Sequence, residues 1–235
     1  MRHTIKRELF GLLLAVGVLA ASTSAQAGVN EGRSAYKSKD FEAAMKEFKP
    51  LADSGEPIAQ FYVGLMYDNG EGVLQSYPQA IVWYTKAADK GFAPAQSNLG
   101  VIYESGGLVE RDFKKAAAYY QKAAEQGDTA AQFNLGLMNY VGRGADYPRN
   151  TAQAAVWYGK AAELGSVVAQ NAFGQLCENG YGLKASYVAA YKWYSLAAEG
   201  GSEPAKINMA TLADRMTPEQ IADAKAQAQE WKKHK

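Results

Sequence analysis

The feature of this sequence that most constrains its fold is a short motif that returns at almost constant intervals. The dipeptide Ala-Gln begins at residues 59, 95, 131 and 169, and the related dipeptide Ala-Lys begins at residue 205, so the spacings are 36, 36, 38 and 36 residues. Self-similarity of this period is the signature of a solenoid, in which each unit stacks against its neighbours. We therefore predict a solenoid of stacked helical units.

Each unit is predicted to hold two helices. In the first helix, Ala95, Leu99 and Ile102 have the i, i+4, i+7 spacing of one apolar helix face. The second helix should follow a residue whose short polar side chain accepts a hydrogen bond from the first turn. These expected N-cap residues are Asp40, Ser76, Asp112, Asn150 and Ser186. The glycines expected to end the second helices in a left-handed conformation are Gly55, Gly91, Gly127, Gly165 and Gly200.

A further glycine stands in the middle of each predicted first helix. These glycines are Gly64, Gly100, Gly136 and Gly174. Each should cost about 1 kcal/mol of helix stability relative to alanine. The second helix of each unit carries an aromatic pair, of which Trp157-Tyr158 is one. We predict that these aromatic side chains approach the glycines so closely that a larger residue would not fit.

The beginning of the chain has the three parts of a secretory signal peptide. A basic segment at residues 2–7 precedes an apolar run at residues 9–21, and Ala25-Gln26-Ala27 provides a small–x–small cleavage site. The apolar run is shorter than the roughly 18 residues expected of a spanning helix. We expect a bacterial signal peptide over residues 1–27, cleavage after Ala27, no membrane segment in the mature chain, and a periplasmic or secreted protein.

The repeat register divides the remaining chain into six segments, or about six helix hairpins. A degenerate unit comes first, four full units follow, and a pair of capping helices ends the chain. The predicted boundaries are 28–57 for the degenerate unit, 58–93, 94–129, 130–167 and 168–203 for the four repeats, and 204–235 for the capping pair.

The composition excludes several functional classes. The formal net charge is +1, so there is no basic excess that would suggest nucleic acid binding. The single cysteine, Cys177, rules out a framework of intrachain disulfides. The two histidines are His3 and His234, so the chain between them lacks the commonest metal ligand and general base. We expect neither a metal ion nor a cofactor.

The repeating motif resembles the Sel1-like repeat, a branch of the tetratricopeptide superfamily. The second full unit shows the resemblance, with the run from Ala95 to Tyr103, then Asp112, then Tyr119-Tyr120 and Ala123-Ala124. The resemblance implies an all-α, right-handed α-solenoid. It also implies a non-catalytic adaptor that holds a protein or peptide partner, often in the bacterial envelope. In this superfamily the first helices line the concave face.

Two tracks of side chains on the first helices form the predicted partner-binding groove. The first track lies two residues after the glutamine of each motif, and the second lies three residues further on the same helix face. The predicted contacts are Tyr62, Asn98, Asn134 and Asn208 in the first track and Leu65, Val101, Leu137 and Gln175 in the second. Asparagine amides can bind the backbone of an extended peptide. The alternative is that these asparagines bridge to the neighbouring helix.

A longer turn provides a second candidate surface. The turn from Gly142 to Arg149 has two more residues than its counterparts. Insertions in solenoids map to loops on one face, which is often a binding face. Tyr147 and Arg149 are therefore candidate partner contacts, and a neutral change of length is the alternative.

Other functions rest on isolated residues. Ser34 and Lys37 form a Ser-x-x-Lys sequence, so an envelope enzyme acting on β-lactams or peptidoglycan is an alternative, although the companion Ser-Asp-Asn and Lys-Thr-Gly motifs are missing. A self-assembling structural protein is another. Cys177 is either a buried core thiol or a reactive one. The basic C-terminus, with Lys232, Lys233 and Lys235, is either a solvated helix end or a contact with a membrane surface.

Overall fold

The computed structural model describes residues 25–107 and 109–234, and within these residues every regular element is an α-helix. This confirms the predicted all-α class. The helices are α1 (25–37), α2 (Phe41–Ser54), α3 (Pro57–Asn69), α4 (Tyr77–Asp89), α5 (Ala93–Ser105), α6 (Phe113–Glu125), α7 (Thr129–Val141), α8 (Thr151–Glu163), α9 (Val167–Asn179), α10 (Tyr187–Glu199), α11 (Glu203–Ala213) and α12 (Pro218–Lys233).

The second helix of each unit begins at its predicted N-cap residue. In four of the five cases the side chain accepts a hydrogen bond from the first turn, as Asn150 does from the Gln153 backbone N–H at 3.0 Å. Ser76 is also an N-cap residue, but its side chain makes no such bond. The last helix, α12, begins with a complete capping box at Thr217 and Gln220. Local hydrogen bonding therefore explains where these helices begin.

The glycine ends are confirmed for four units and wrong for one. Gly55, Gly91, Gly127 and Gly165 have φ values of 99°, 83°, 89° and 88°, in the left-handed region that favours glycine. In the last unit Gly200 has an ordinary φ of −73°. The left-handed residue there is Gly201, with φ of 92°. Two adjacent glycines made the position ambiguous in the sequence.

The mid-helix glycines lie against tyrosine rings, as predicted. A Cβ atom built on Gly100 would lie 2.5 Å from Cδ1 of Tyr120, and one built on Gly136 would lie 2.6 Å from Cδ1 of Tyr158. Gly64 and Gly174 have the same relation to the tyrosine of the following helix, with distances of 2.8 and 2.7 Å. Only glycine fits at these positions, so the recurring cost in helix stability is the condition for close helix packing.

The chain forms two compact units, with the boundary between Leu99 and Gly100 inside α5. In the first unit α3 packs against α2 and α4, around a core that includes Phe48, Val63 and Met66. In the second unit each helix from α6 to α11 packs against the next, and α12 packs against α10. The core of the second unit includes buried alanines and aromatic side chains of α8 and α10.

The predicted signal peptide lies mostly outside the described residues, since only its last three residues, 25–27, are described, and these begin α1. Among the described residues, no helix combines the length and the apolar character that crossing a membrane would require.

Candidate functional site

A chain of hydrogen bonds recurs where the helices pack. Three of the tyrosines that cover the glycines donate their hydroxyl to a carboxylate on the preceding helix: Tyr84 to Asp68 at 3.1 Å, Tyr120 to Glu104 at 3.0 Å, and Tyr194 to Glu178 at 3.0 Å. Burial, and then the neighbouring carboxylate, raises the pKa of each tyrosine. These hydroxyls therefore stay neutral and act as donors.

Two of the predicted groove asparagines belong to this hydrogen-bond chain. The Asn98 side chain lies close to the Tyr84 hydroxyl and the Asn134 side chain lies close to the Tyr120 hydroxyl, and each lowers the pKa of its tyrosine. Both asparagines are half-buried. In these two units an acid, a tyrosine and an asparagine form a triad, which is the arrangement expected of an asparagine that bridges to a neighbouring helix.

The third unit breaks the triad at both ends. The residue four positions after Gly136, where the other units have Asp68, Glu104 and Glu178, is Tyr140. The residue fourteen positions after Tyr158, where the asparagines stand, is Ala172. The Tyr158 hydroxyl consequently hydrogen-bonds to none of the described residues, while burial raises its pKa. The hydroxyl oxygen is not fully enclosed, so solvent can reach it.

The two replacements border one cavity of about 330 Å³, which we call the Tyr158 pocket. It is lined by Phe133, Leu137, Tyr140, Tyr158, Val168, Asn171, Ala172, Gln175, Leu176, Ser202 and Pro204, none of which is charged. Tyr140 and Ala172 occupy the positions of the missing partners and both line the pocket, so the Tyr158 hydroxyl faces it. The volume falls in the range of small ligand sites, about 300–1,000 Å³.

Arg149 lies beside this pocket. Its guanidinium is 5.0 Å from the ring centre of Tyr140 and 5.6 Å from that of Tyr181. Among the described residues no carboxylate forms an ion pair with it, whereas Arg143 pairs with Glu104 at 2.6 Å and Arg215 with Glu178 at 2.7 Å. Arg111 also has no carboxylate partner in the described part of the chain, but its guanidinium donates to the Ser105 carbonyl.

The four full repeats match a known family of repeat sequences. The sequence profile of the Sel1 repeat matches residues 57–92, 93–128, 129–166 and 167–202, which is more than half of the chain. The chain belongs to the Sel1 repeat family. Sel1 repeat proteins are generally protein-interaction scaffolds.

Solved structures of Sel1 repeat proteins are similar to this chain. A protective antigen of uropathogenic Escherichia coli that displays an SLR fold is 35% identical with a TM-score of 0.72, over 80% of this chain and 40% of that one. The chain therefore spans about two fifths of the length of that relative. A Sel1 repeat protein from Oxalobacter formigenes is 35% identical with a TM-score of 0.71, over 77% of this chain and 73% of that one. No curated protein matches the sequence.

The remaining groove candidates of this Sel1 repeat protein have different environments. Leu137 and Gln175 line the Tyr158 pocket. Tyr62 stacks on Phe48 with ring centres 4.6 Å apart, inside the core of the first unit. Leu65 is half-buried. Asn208 donates to the Asn171 side chain at 3.0 Å rather than to Tyr194.

Val101 lines a second cavity, of about 440 Å³, which it shares with Glu104, Ser105, Arg111, Phe113 and Arg143. Glu104 forms an ion pair with Arg143, and the Arg111 guanidinium, which keeps its positive charge, donates to the Ser105 carbonyl. Both arginines lie over the ring of Phe113, each 5.8 Å from its centre. This cavity therefore has its polar groups satisfied internally, unlike the Tyr158 pocket.

The two candidate residues of the longer turn, Tyr147 and Arg149, lie in different environments. Tyr147 is half-buried beside Asn139, and burial raises its pKa. It stands three residues before an N-cap residue, as do Val73 and Leu183, which pack against the cores. This register was visible in the sequence and points to a packing role for Tyr147. Arg149, in contrast, is exposed.

The alternative functions suggested by the sequence rest on isolated residues, whose environments are as follows. Ser34 and Lys37 are both exposed near the end of α1. Cys177 is buried, and burial raises the pKa of its thiol to about 11, which disfavours the reactive thiolate. Lys232 and Lys233 pair with Glu199 and Glu230, and Lys235 lies outside the described residues. The described residues contain no cluster of three or more His, Cys, Asp or Glu that could hold a metal ion.

Proposed function

We propose that this protein is a non-catalytic scaffold of the bacterial envelope that binds a protein partner through the second unit. The partner would lie as an extended segment across α7, α9 and α11, with a side chain in the Tyr158 pocket. The observation that carries this proposal is the pocket itself, which opens where two residues depart from the repeat pattern. The rest of the repeat pattern serves helix packing, so the departure marks the position that is specialised.

The surface around the pocket supports binding of a protein segment. Val168 at the pocket wall is 57% exposed, and Ile207, three residues after the wall residue Pro204 on α11, is 66% exposed. Neighbouring exposed apolar side chains often mark interaction sites in soluble proteins. The uncharged lining favours a hydrophobic or neutral side chain, because a charged group would lose its hydration there without a partner.

The envelope location is proposed from the leader-like sequence before residue 28. Cell fractionation with an antibody against the protein tests it. A mature chain that begins at Gly28 in the periplasmic fraction would support the proposal, and an uncleaved cytosolic chain would contradict it.

The binding proposal is tested by site-specific photocrosslinking in the native cell. A photoreactive amino acid at Gln175, which is exposed at the pocket, is compared with the same probe at Val156. Val156 is 47% exposed on α8 and does not line the pocket, so it is a matched control. We expect a discrete crosslinked partner from Gln175 alone. No adduct from Gln175, or equal labelling from both positions, would contradict the proposed binding face.

A further inference from the structure

We infer that the Tyr158 pocket binds an aromatic side chain of the partner segment and that Arg149 binds an acidic residue next to it. This inference rests on the proposed scaffold function and adds the chemistry of the partner. It assigns to the third unit a recognition role that the other units lack.

The lining of the pocket favours an aromatic side chain. Phe133 and Tyr158 already form a tilted ring pair with centres 5.4 Å apart, and Tyr140 adds a third ring. An inserted ring can adopt the offset or edge-to-face contacts that aromatic groups prefer. Aromatic side chains also bury a large area at the expense of only two rotatable bonds.

The Tyr158 hydroxyl adds a polar requirement. Its equivalents Tyr84, Tyr120 and Tyr194 each donate to a carboxylate, and Tyr84 and Tyr120 also lie close to an asparagine. Tyr158 has neither partner among the described residues. A backbone carbonyl or a tyrosine hydroxyl of the bound segment can accept this hydrogen bond. An occupant that excludes water from this hydroxyl must supply an acceptor, because a donor left without one would cost free energy.

Arg149 is the reason for proposing an acidic residue next to the aromatic residue of the partner segment. Its guanidinium lies over Tyr140, a wall of the pocket, and it forms no ion pair with a described carboxylate. A guanidinium held over an aromatic ring still presents N–H donors at its edge, which match the geometry of a carboxylate. The acid bound by Arg143 or Arg215 comes from the chain itself, whereas the acid for Arg149 would come from the partner.

The binding test uses three short peptides of defined composition on the full mature chain. The test peptide is acetyl-Ala-Asp-Phe-Asp-Ala-amide, in which acidic residues on both sides of the ring allow either chain direction. One control replaces Phe by Ala, and the other replaces both Asp by Asn. Affinities are measured by chemical-shift titration of the isotopically labelled protein. We expect the test peptide to bind about tenfold more tightly than the Ala control and about threefold more tightly than the Asn control.

Variants then assign the contacts. Tyr140→Glu with Ala172→Asn restores the triad found at Tyr84 and Tyr120, so it should close the pocket and abolish the preference for Phe. Tyr158→Phe removes only the hydroxyl and should weaken the test peptide about fivefold. Arg149→Gln should abolish the preference for Asp over Asn and leave the preference for Phe. The two single variants keep the test decisive even where the double variant folds poorly, which thermal unfolding would reveal.

Equal affinity for all three peptides, or no binding of any, would overturn the inference. So would full binding by folded variants that lack the Tyr158 hydroxyl and the Arg149 guanidinium. The photocrosslinking result separates this failure from that of the proposed function. A partner captured at Gln175 without the peptide preferences would leave the scaffold role in place, whereas no capture at Gln175 would remove the scaffold role as well.

Discussion

The ring of Tyr120 lies against Gly100 so closely that a Cβ atom on the glycine would be 2.5 Å from the ring. Gly100 lies on α5 and Tyr120 on α6. The Tyr120 side chain is 1% exposed, so its ring has little room to move. The same contact recurs in the other full repeats. Substitution of Gly100 therefore tests the close helix packing that the recurring glycine permits.

Gly100→Ala should destabilise the protein by about 2 kcal/mol despite the better helix propensity of alanine, because the added methyl group overpacks the contact. Gly100→Leu should lower the melting temperature further. The control is Gly100→Ala in a Tyr120→Ala background, where the space is open and the change should be neutral or stabilising by up to about 1 kcal/mol. Denaturant unfolding of the four proteins gives the coupling energy, and additive effects would refute the steric explanation.

The N-cap residues provide a matched pair of substitutions. Asn150 accepts a hydrogen bond from the Gln153 backbone N–H at 3.0 Å, whereas Ser76 makes no side-chain bond at the equivalent position. Asn150→Ala should therefore cost about 1 kcal/mol of unfolding free energy, and Ser76→Ala should cost much less. Chemical denaturation measures both. A larger loss for Ser76→Ala than for Asn150→Ala would show that the side-chain bond does not govern these helix starts.

The glutamine of the repeat motif has a structural role that the sequence did not reveal. The Gln132 side chain is buried and donates to the Ala124 carbonyl at 3.0 Å, and its three equivalents make the same bond. Gln132→Met should cost about 1 kcal/mol, because it removes the side-chain bond to the Ala124 carbonyl, which keeps its bond from the Gly127 N–H. Gln121→Met, at an exposed position on α6, is the control and should change stability by less than about 0.5 kcal/mol. Similar losses for both would contradict a specific bond.

Cys177 makes stability depend on pH in the alkaline range. Burial raises the pKa of its thiol from 9.0 to about 11, so the unfolded state releases this proton first. The unfolding free energy contributed by the thiol is present below pH 9 and is lost as pH rises toward 11. Cys177→Ala should therefore lose less stability than the wild type between pH 8.5 and pH 10.5, measured by denaturant unfolding.

Thiol labelling provides an independent check on Cys177. At pH 8 the native protein should react with iodoacetamide far more slowly than the unfolded protein, because the thiol is buried and protonated. Rapid labelling of the native state would show that Cys177 is accessible and would favour the reactive thiol.

Much of the helical framework could be predicted because its signals are local. Asp112 and Asn150 bond to backbone groups three residues away, and Gly165 adopts a left-handed φ at its own position. The pairing of Gly136 with Tyr158 was also predictable, since a recurring glycine and a recurring aromatic pair had to meet in every unit. Gly201 was missed because two successive glycines permit the same turn.

The candidate site was predicted only in part. Leu137, Gln175 and Arg149 lie at or beside the Tyr158 pocket, whereas Asn98 and Asn134 lie close to tyrosine hydroxyls. A periodic asparagine has the same appearance in a sequence whether it faces a ligand or a neighbouring helix. Only the contact distances distinguish these roles.

The sequence by itself determined the period, the starts of the second helices and most of the glycine turns, because backbone hydrogen bonds and steric limits act over a few residues. The tertiary structure decided which positions of neighbouring helices contact one another. Tyr158 lies 18 residues after Tyr140 and 14 residues before Ala172. The effect of having Tyr140 and Ala172 at these positions can be recognised only in the folded chain, where the three residues line one cavity. Loss of a carboxylate and an amide at a packed interface leaves a space and an unpartnered hydroxyl, and that combination exists only in the folded chain.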